Sequence, residues 1–292
     1  MNHKFAHWGV FLLLSLTWGS SFILMKIGLE SFTPYQVASL RLVAAGLALL
    51  PFLPKAIRQT PVNKLPVIIL SGILGNGLPA FLFCVAETGI DSSLAGILNS
   101  LTPLMALLTG LIIFKSPIKK AQLLGVCVGL VGVVLLFSSR GISTGGNWYY
   151  SLLVVAATVS YGTNISLVHH YLKGFGSLQL GSIAMFFCGL VTFPVLWFSD
   201  FFPQFATDHA PWRSLSAGLV LGVMGTGVAA VLFYLLIRRA GSMFASMVTY
   251  ALPVVAIGWG VLAHETVTWI QVLCMGIILL GVYLVNRAKT AS

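Results

Sequence analysis

Apolar residues run along this chain in stretches broken by short polar or glycine- and proline-bearing connectors. Ten stretches stand out, at about 8–27, 35–53, 66–86, 93–113, 121–138, 148–170, 177–198, 214–236, 242–262 and 268–286. Each is close to the roughly 20 residues needed to cross a bilayer as a helix. None alternates strictly between apolar and polar positions, as a membrane barrel strand does. The pattern predicts an all-α polytopic membrane protein with ten transmembrane helices. The first stretch follows a polar start of seven residues with no small-residue cleavage pattern. It reads as a retained helix and not a signal peptide.

The third stretch is built loosely at its middle. "GILGNGLPAFLF" (72–83) holds Gly72, Gly75, Gly77 and Pro79 within eight residues. In a soluble helix each interior Gly costs roughly 0.5–1 kcal/mol and the Pro about 3 kcal/mol. The same stretch recurs 150 positions later as "GVMGTGVAAVLF" (222–233), pairing Gly75 with Gly225, Gly77 with Gly227 and Phe83 with Phe233. That offset also pairs Ser92 with Ser242, Ala95 with Ala245 and Pro103 with Pro253, and one residue less pairs Gln122 with Gln271. "TWGSS" (17–21) is echoed by "SYGTN" (160–164).

A repeat of five spans is odd in number, so its second copy crosses the membrane in the opposite sense. The chain therefore divides into residues 1–140 and 141–292, two inverted five-helix repeats. Such repeats characterise transporters, with the substrate near the midplane and broken helices at corresponding positions in each half. Two readings of the paired glycines stand side by side: close helix packing, or packing together with a hinge beside a cavity. The hinge reading names Gly75, Gly77, Pro79 and Pro103 with Gly225, Gly227 and Pro253.

Composition excludes a soluble chain: 58% of the 292 residues are hydrophobic and 8% charged. Ordinary soluble domains carry about 25% charged residues. Mean hydropathy is +0.99. Twelve of the 16 basic residues gather on one side: Lys4, Lys55, Arg58, Lys64, Lys115, Lys119, Lys120, Lys173, Arg238, Arg239, Arg287 and Lys289. By the positive-inside rule that side is cytoplasmic and holds both termini. The net charge of +10 thus needs no nucleic acid as partner. Cys84, Cys127, Cys188 and Cys274 lie in spans without a CxxC pair and read as core residues. His3 and His7 are too few for a metal site, and no cofactor is expected. "GISTG" (141–145) fits a nucleophile-elbow pattern but has no strand before it and no partners, so an enzyme is not expected. Phosphate-binding glycine motifs are absent from the sequence.

Taken together, "WGSSF" (18–22), "RLVAAGLALLP" (41–51), "SSLAGILNSLTPLMALL" (92–108), "QLLGVCVGLVGVVLL" (122–136), "SMFASMVTYALPVVA" (242–256), "HETVTWIQ" (264–271) and "GIILLGVYLV" (276–285) resemble the EamA family of the drug/metabolite transporter superfamily. The resemblance covers essentially the whole chain. Among members it is most similar to bacterial amino-acid exporters of the YddG type. It implies export of amino acids, aromatic ones among them, and of related small metabolites across the cell inner membrane. One departure is visible: Lys115 stands where the family often carries an acid after the fourth span, while Glu265 keeps the acid in the second half.

Candidate substrate-binding residues follow from polar and aromatic positions inside the spans. Gly96, Asn99 and Pro103 share one helix face, as do Ser246, Thr249 (or Tyr250) and Pro253. Each Pro frees the carbonyl four residues earlier, at Asn99 and Thr249, and freed carbonyls suit a substrate ammonium group. Trp18, Asn76, Phe83, Tyr161, Asn164, Tyr234, Tyr250 and Trp259 supply the aromatic walls and amides of a small-molecule cavity. Trp148, Tyr149, Tyr150, Trp212, Trp269 and Tyr283 fit the interfacial belt. Arg41, two turns into the second span, either snorkels to the headgroups or pairs with a carboxylate of protein or substrate.

The expected partners are a small-molecule substrate and the lipid bilayer, with a monomer competent for transport. No acid falls securely at mid-membrane, which favours facilitated export by alternating access without a proton relay. The competing readings are a carrier of another metabolite or drug, such as a nucleotide sugar, and a membrane-embedded enzyme or receptor.

Overall fold

The computed structural model describes residues 2–139, 148–206, 210–233, 235–236 and 248–290. Among these residues the fold is helical throughout and contains no strand. Eight helices are long and apolar enough to cross a membrane, or nine if one bent pair is a single span. In chain order they are α1 (His7–Gly28), α2 (Pro34–Arg58), α3 (Val62–Ala86), the bent pair α4 (Ser92–Asn99) and α5 (Thr102–Ile112), α6 (Lys120–Ser138), α7 (Trp148–Tyr171), α8 (Ser177–Phe198), α9 (Trp212–Phe233) and, after the shorter α10 (Val248–Leu262), α11 (Trp269–Arg287). The chain is a polytopic membrane protein. Residues 242–247, the expected beginning of α10, lie outside the described residues, as do Ser242, Ala245 and Ser246.

Helix ends carry their own local signals. At α2 the Gln36 N–H donates to the Thr33 hydroxyl at 3.3 Å, and the Thr33 N–H donates to the Gln36 side-chain oxygen at 2.9 Å. Thr268 and Gln271 form the same reciprocal pair at the start of α11. Gln122 accepts from the Lys119 N–H at 2.9 Å at the start of α6. These side chains satisfy N–H groups that a first helical turn leaves unbonded. Gln122 and Gln271, paired by the repeat, thus perform the same task.

The chain leaves α5 and α10 through residues in the left-handed conformation, Lys115 at φ 52° and His264 at φ 59°. Lys115 therefore corresponds to His264, and Ser116 occupies the place of Glu265. This corrects the register expected from sequence, in which Lys115 stood for the acid. The one-residue loss between the halves falls inside this turn, where no apolar periodicity marks it.

Packing against lipid and against protein uses the same apolar side chains, so small residues mark where helices meet. Along α6 and α11, a Cβ at Gly125 would meet the Gly281 carbonyl oxygen at 2.7 Å, and one at Gly281 the Gly125 carbonyl oxygen at 2.6 Å. No side chain fits between these backbones. Leu12, Val191, Phe198 and Val261 are exposed on the outside of the bundle, an apolar surface that suits lipid. Trp148, Tyr149, Trp212, Trp269 and Tyr283 are exposed at or near helix ends. Tyr150 instead packs over Gly89.

Candidate functional site

Both glycine-rich stretches widen into π-helical turns, Ile73–Gly77 in α3 and Leu221–Val228 in α9. After each turn an N–H reaches back five residues, from Leu78 to the Ile73 carbonyl and from Ala229 to the Met224 carbonyl. Such turns insert a residue into the helix and are frequent at functional sites. Here they bring neighbouring helices into contact. A Cβ at Gly75 would collide with the Asn164 amide of α7. The Ser160 hydroxyl of α7 donates to the Leu74 carbonyl at 2.8 Å, and the Trp18 indole N–H of α1 donates to the Gly225 carbonyl at 2.8 Å.

Between these turns lies a cavity of about 270 Å³. Its lining includes Trp18, Gly75, Asn76, Phe83, Asn99, Tyr161, Asn164, Gly225 and Thr249, all named from the sequence. Aromatic rings form much of its wall: Trp18 lies 5.0 Å from Phe233, and Phe83 lies 5.8 Å from Phe22 and 6.2 Å from Tyr161 between centroids. The third, fourth, eighth and ninth apolar stretches border it. The first, second and sixth contribute as well, through Trp18, Arg41 and Tyr161.

Arg41 enters this cavity from α2. Its Nε–H donates to the Thr226 hydroxyl at 2.8 Å, and Nη1 lies 3.9 Å from the Met25 sulfur. Thr226 is itself oriented by donating to the Leu221 carbonyl at 3.3 Å. The Tyr161 hydroxyl lies beside the guanidinium. None of the described carboxylates pairs with Arg41; an ion pair joins Arg213 and Glu30 at 2.9 Å. The side chain thus lines the cavity, while the protein carboxylate of the second sequence reading is not among its described partners. Thr226 was missed, although it stands between Gly225 and Gly227 as Asn76 does between Gly75 and Gly77.

Other candidates lie elsewhere. Tyr250 is half-buried and accepts a hydrogen bond from the Asn286 amide at 2.8 Å, away from the cavity lining. Gly77, Pro79, Pro103, Gly227 and Pro253 do not line it either. Tyr234 lies outside the described residues. The Asn99 carbonyl, expected to be free, accepts the Thr102 hydroxyl at 2.9 Å. Pro103 sits in the first turn of α5, after a break at which α4 and α5 bend by 41°. Pro253 is buried within α10, which continues through it as helix.

Two carboxylates cluster near one end of the cavity-forming helices. Glu265 accepts from the Ser92 N–H at 2.9 Å, the Ser92 hydroxyl at 2.7 Å and the Ser93 N–H at 3.0 Å. It thereby caps the N-terminus of α4. Burial raises its carboxyl, but the bonds from Ser92 and Ser93 outweigh that and hold it below the usual value. Glu87, the first residue beyond α3, is fully buried and neither carboxyl oxygen has a hydrogen-bond partner. Burial pushes its carboxyl well up. The Lys26 ammonium donates to the Glu87 and Ile90 backbone carbonyls instead, at 3.3 and 3.1 Å. Among the described residues no acidic side chain lines the cavity itself.

The profile of the EamA-like transporter family matches residues 7–138 and 148–287. An Escherichia coli protein described as the uncharacterized inner membrane transporter YedA is 29% identical over 96% of this chain and 90% of its own. A transporter of Archaeoglobus fulgidus is 26% identical over 97% of this chain and 99% of its own. A probable amino-acid metabolite efflux pump of Salmonella typhimurium is 26% identical over 44% of this chain and 42% of its own. One crystal structure superposes on 98% of this chain and 99% of its own with a TM-score of 0.62 at 16% identity, a likeness of fold.

Proposed function

The chain belongs to the EamA-like transporter family, and from that premise we propose that it exports amino acids and related small metabolites across the inner membrane by alternating access. The observation that carries this reading is the cavity between the two π-turns. It is lined by rings, amides and one cation, a chemistry that suits an amphipathic small molecule. The family is one of transporters, which supports transport over catalysis.

The architecture we propose is ten spans in two inverted repeats, residues 1–140 and 141–292. Recurring contacts support it. A Cβ at Gly72 of α3 would press on Ala184 of α8, and one at Gly222 of α9 on the Arg41 carbonyl and Ala44 of α2. The π-turns, the Gln caps and the left-handed exits recur in the same way. A pseudo-two-fold axis in the membrane plane would relate such pairs. Both termini are then cytoplasmic, on the side rich in Lys and Arg. One protomer holds both halves of the pathway, so a monomer suffices. The π-turns and the break before Pro103 are the hinges about which the helices bend. With no acid among the described lining residues, export is proposed to run down the substrate gradient.

Expression in bacteria challenged with toxic amino-acid analogues tests this reading. Raised tolerance and lower intracellular analogue are expected. Unchanged tolerance with the protein present in the membrane counts against it.

A further inference from the structure

We infer that Arg41 is the carboxylate-binding residue of the cavity, so that only substrates bearing a free carboxylate or an equivalent anion are carried. This rests on the transport reading above and narrows its substrate class.

Among the described lining residues the guanidinium is the one charged group. A cation among apolar walls within the membrane is costly unless an anion or strong acceptors meet it. Its neighbours meet that need only in part. Thr226 takes the Nε–H, the Met25 thioether facing Nη1 is a weak acceptor, and the Tyr161 hydroxyl beside the guanidinium is a neutral one. A guanidinium has five N–H donors in a planar fork, matched to the two oxygens of a carboxylate. Thr226, itself fixed by the Leu221 carbonyl, holds that fork at its Nε edge. An incoming carboxylate supplies the missing countercharge.

The rest of the lining explains why the anion decides. Trp18, Phe22, Phe83 and Tyr161 offer apolar faces to a side chain. Asn99 and Thr249 offer neutral acceptors to an ammonium. A substrate that loses its carboxylate therefore leaves a buried charge unpaired, whereas one that changes its side chain repacks against rings.

The test compares each of several amino acids with its primary amide and its decarboxylated amine. Exchange is measured in liposomes, and binding by the shift in melting temperature of the purified protein. Amides and amines are expected to bind about 10- to 100-fold more weakly, the loss of charge-assisted hydrogen bonds. Arg41→Lys is expected to retain part of the preference for the acid and Arg41→Gln to abolish it. Equal exchange and binding of acid, amide and amine by the wild-type protein overturns the inference while leaving transport intact. If no amino acid is exchanged but other solutes are, the amino-acid reading fails. The Arg41 assignment then stands or falls on whether those solutes carry an anion. The wild-type comparison needs no variant to fold.

Discussion

The indole N–H of Trp18 donates to the carbonyl oxygen of Gly225 at 2.8 Å, tying α1 to the π-turn of α9 across the cavity wall. This carbonyl belongs to the π-turn, so the indole fixes the turn to a neighbouring helix. Trp18→Phe keeps a ring against Phe233 and removes the donor. One hydrogen bond is worth about 0.5–1.5 kcal/mol. Exchange by the variant is expected to fall several-fold at equal protein level, with folding retained on size-exclusion chromatography. Wild-type exchange would remove this contact from the account.

Gly75 and Asn164 are in contact with no room for a methyl group. Gly75→Ala is expected to destabilise the protein by about 1–3 kcal/mol through overpacking. Adding Asn164→Ala should recover part of the lost melting temperature, because the colliding amide is gone. If the double variant melts no higher than Gly75→Ala, the clash is not the cause.

Glu265 caps α4, and Glu265→Gln is expected to cost about 1–2 kcal/mol of stability. Its carboxyl is held below the usual value near 4.5, so the cap is fully present above that pH. It is lost as pH falls through the lower folded value. The difference in melting temperature between wild type and Glu265→Gln should therefore be constant from pH 6 upward and shrink below about pH 4. A difference that grows on acidification would contradict the assignment.

Pro103 follows the 41° bend between α4 and α5. Pro103→Ala supplies an N–H that competes with Thr102 for the Asn99 carbonyl and straightens the bend. It is expected to slow transport several-fold while stability holds or rises. Pro253→Ala, in a helix that already continues through the proline, is expected to have the smaller effect. Wild-type rates in both variants would remove the prolines from the hinge.

Most helices were legible because an apolar stretch of bilayer length has few alternatives. The cavity was legible in part. Trp18, Asn99 and Tyr161 stood out as polar or aromatic groups inside spans, and the repeat pointed to Gly75 and Gly225. What was not legible depends on which face of a helix meets lipid. Both lipid and protein interior are apolar, so periodicity does not separate them. Tyr250 could thus not be told from a lining residue, nor Arg41 from a snorkelling one. The capping of α4 by Glu265 joins residues 173 positions apart and has no local signal. Glu87 lies next to the end of an apolar stretch, and its burial comes from the helices packed around it.

The most direct measurement is counterflow into liposomes of purified protein, preloaded with unlabelled amino acid and given labelled amino acid outside, with no pH or sodium gradient. Transient accumulation of label is expected with wild-type protein and is strongly reduced in Trp18→Phe and Arg41→Gln. Absence of accumulation in every amino acid tried, by protein that remains folded in the vesicles, would contradict the account.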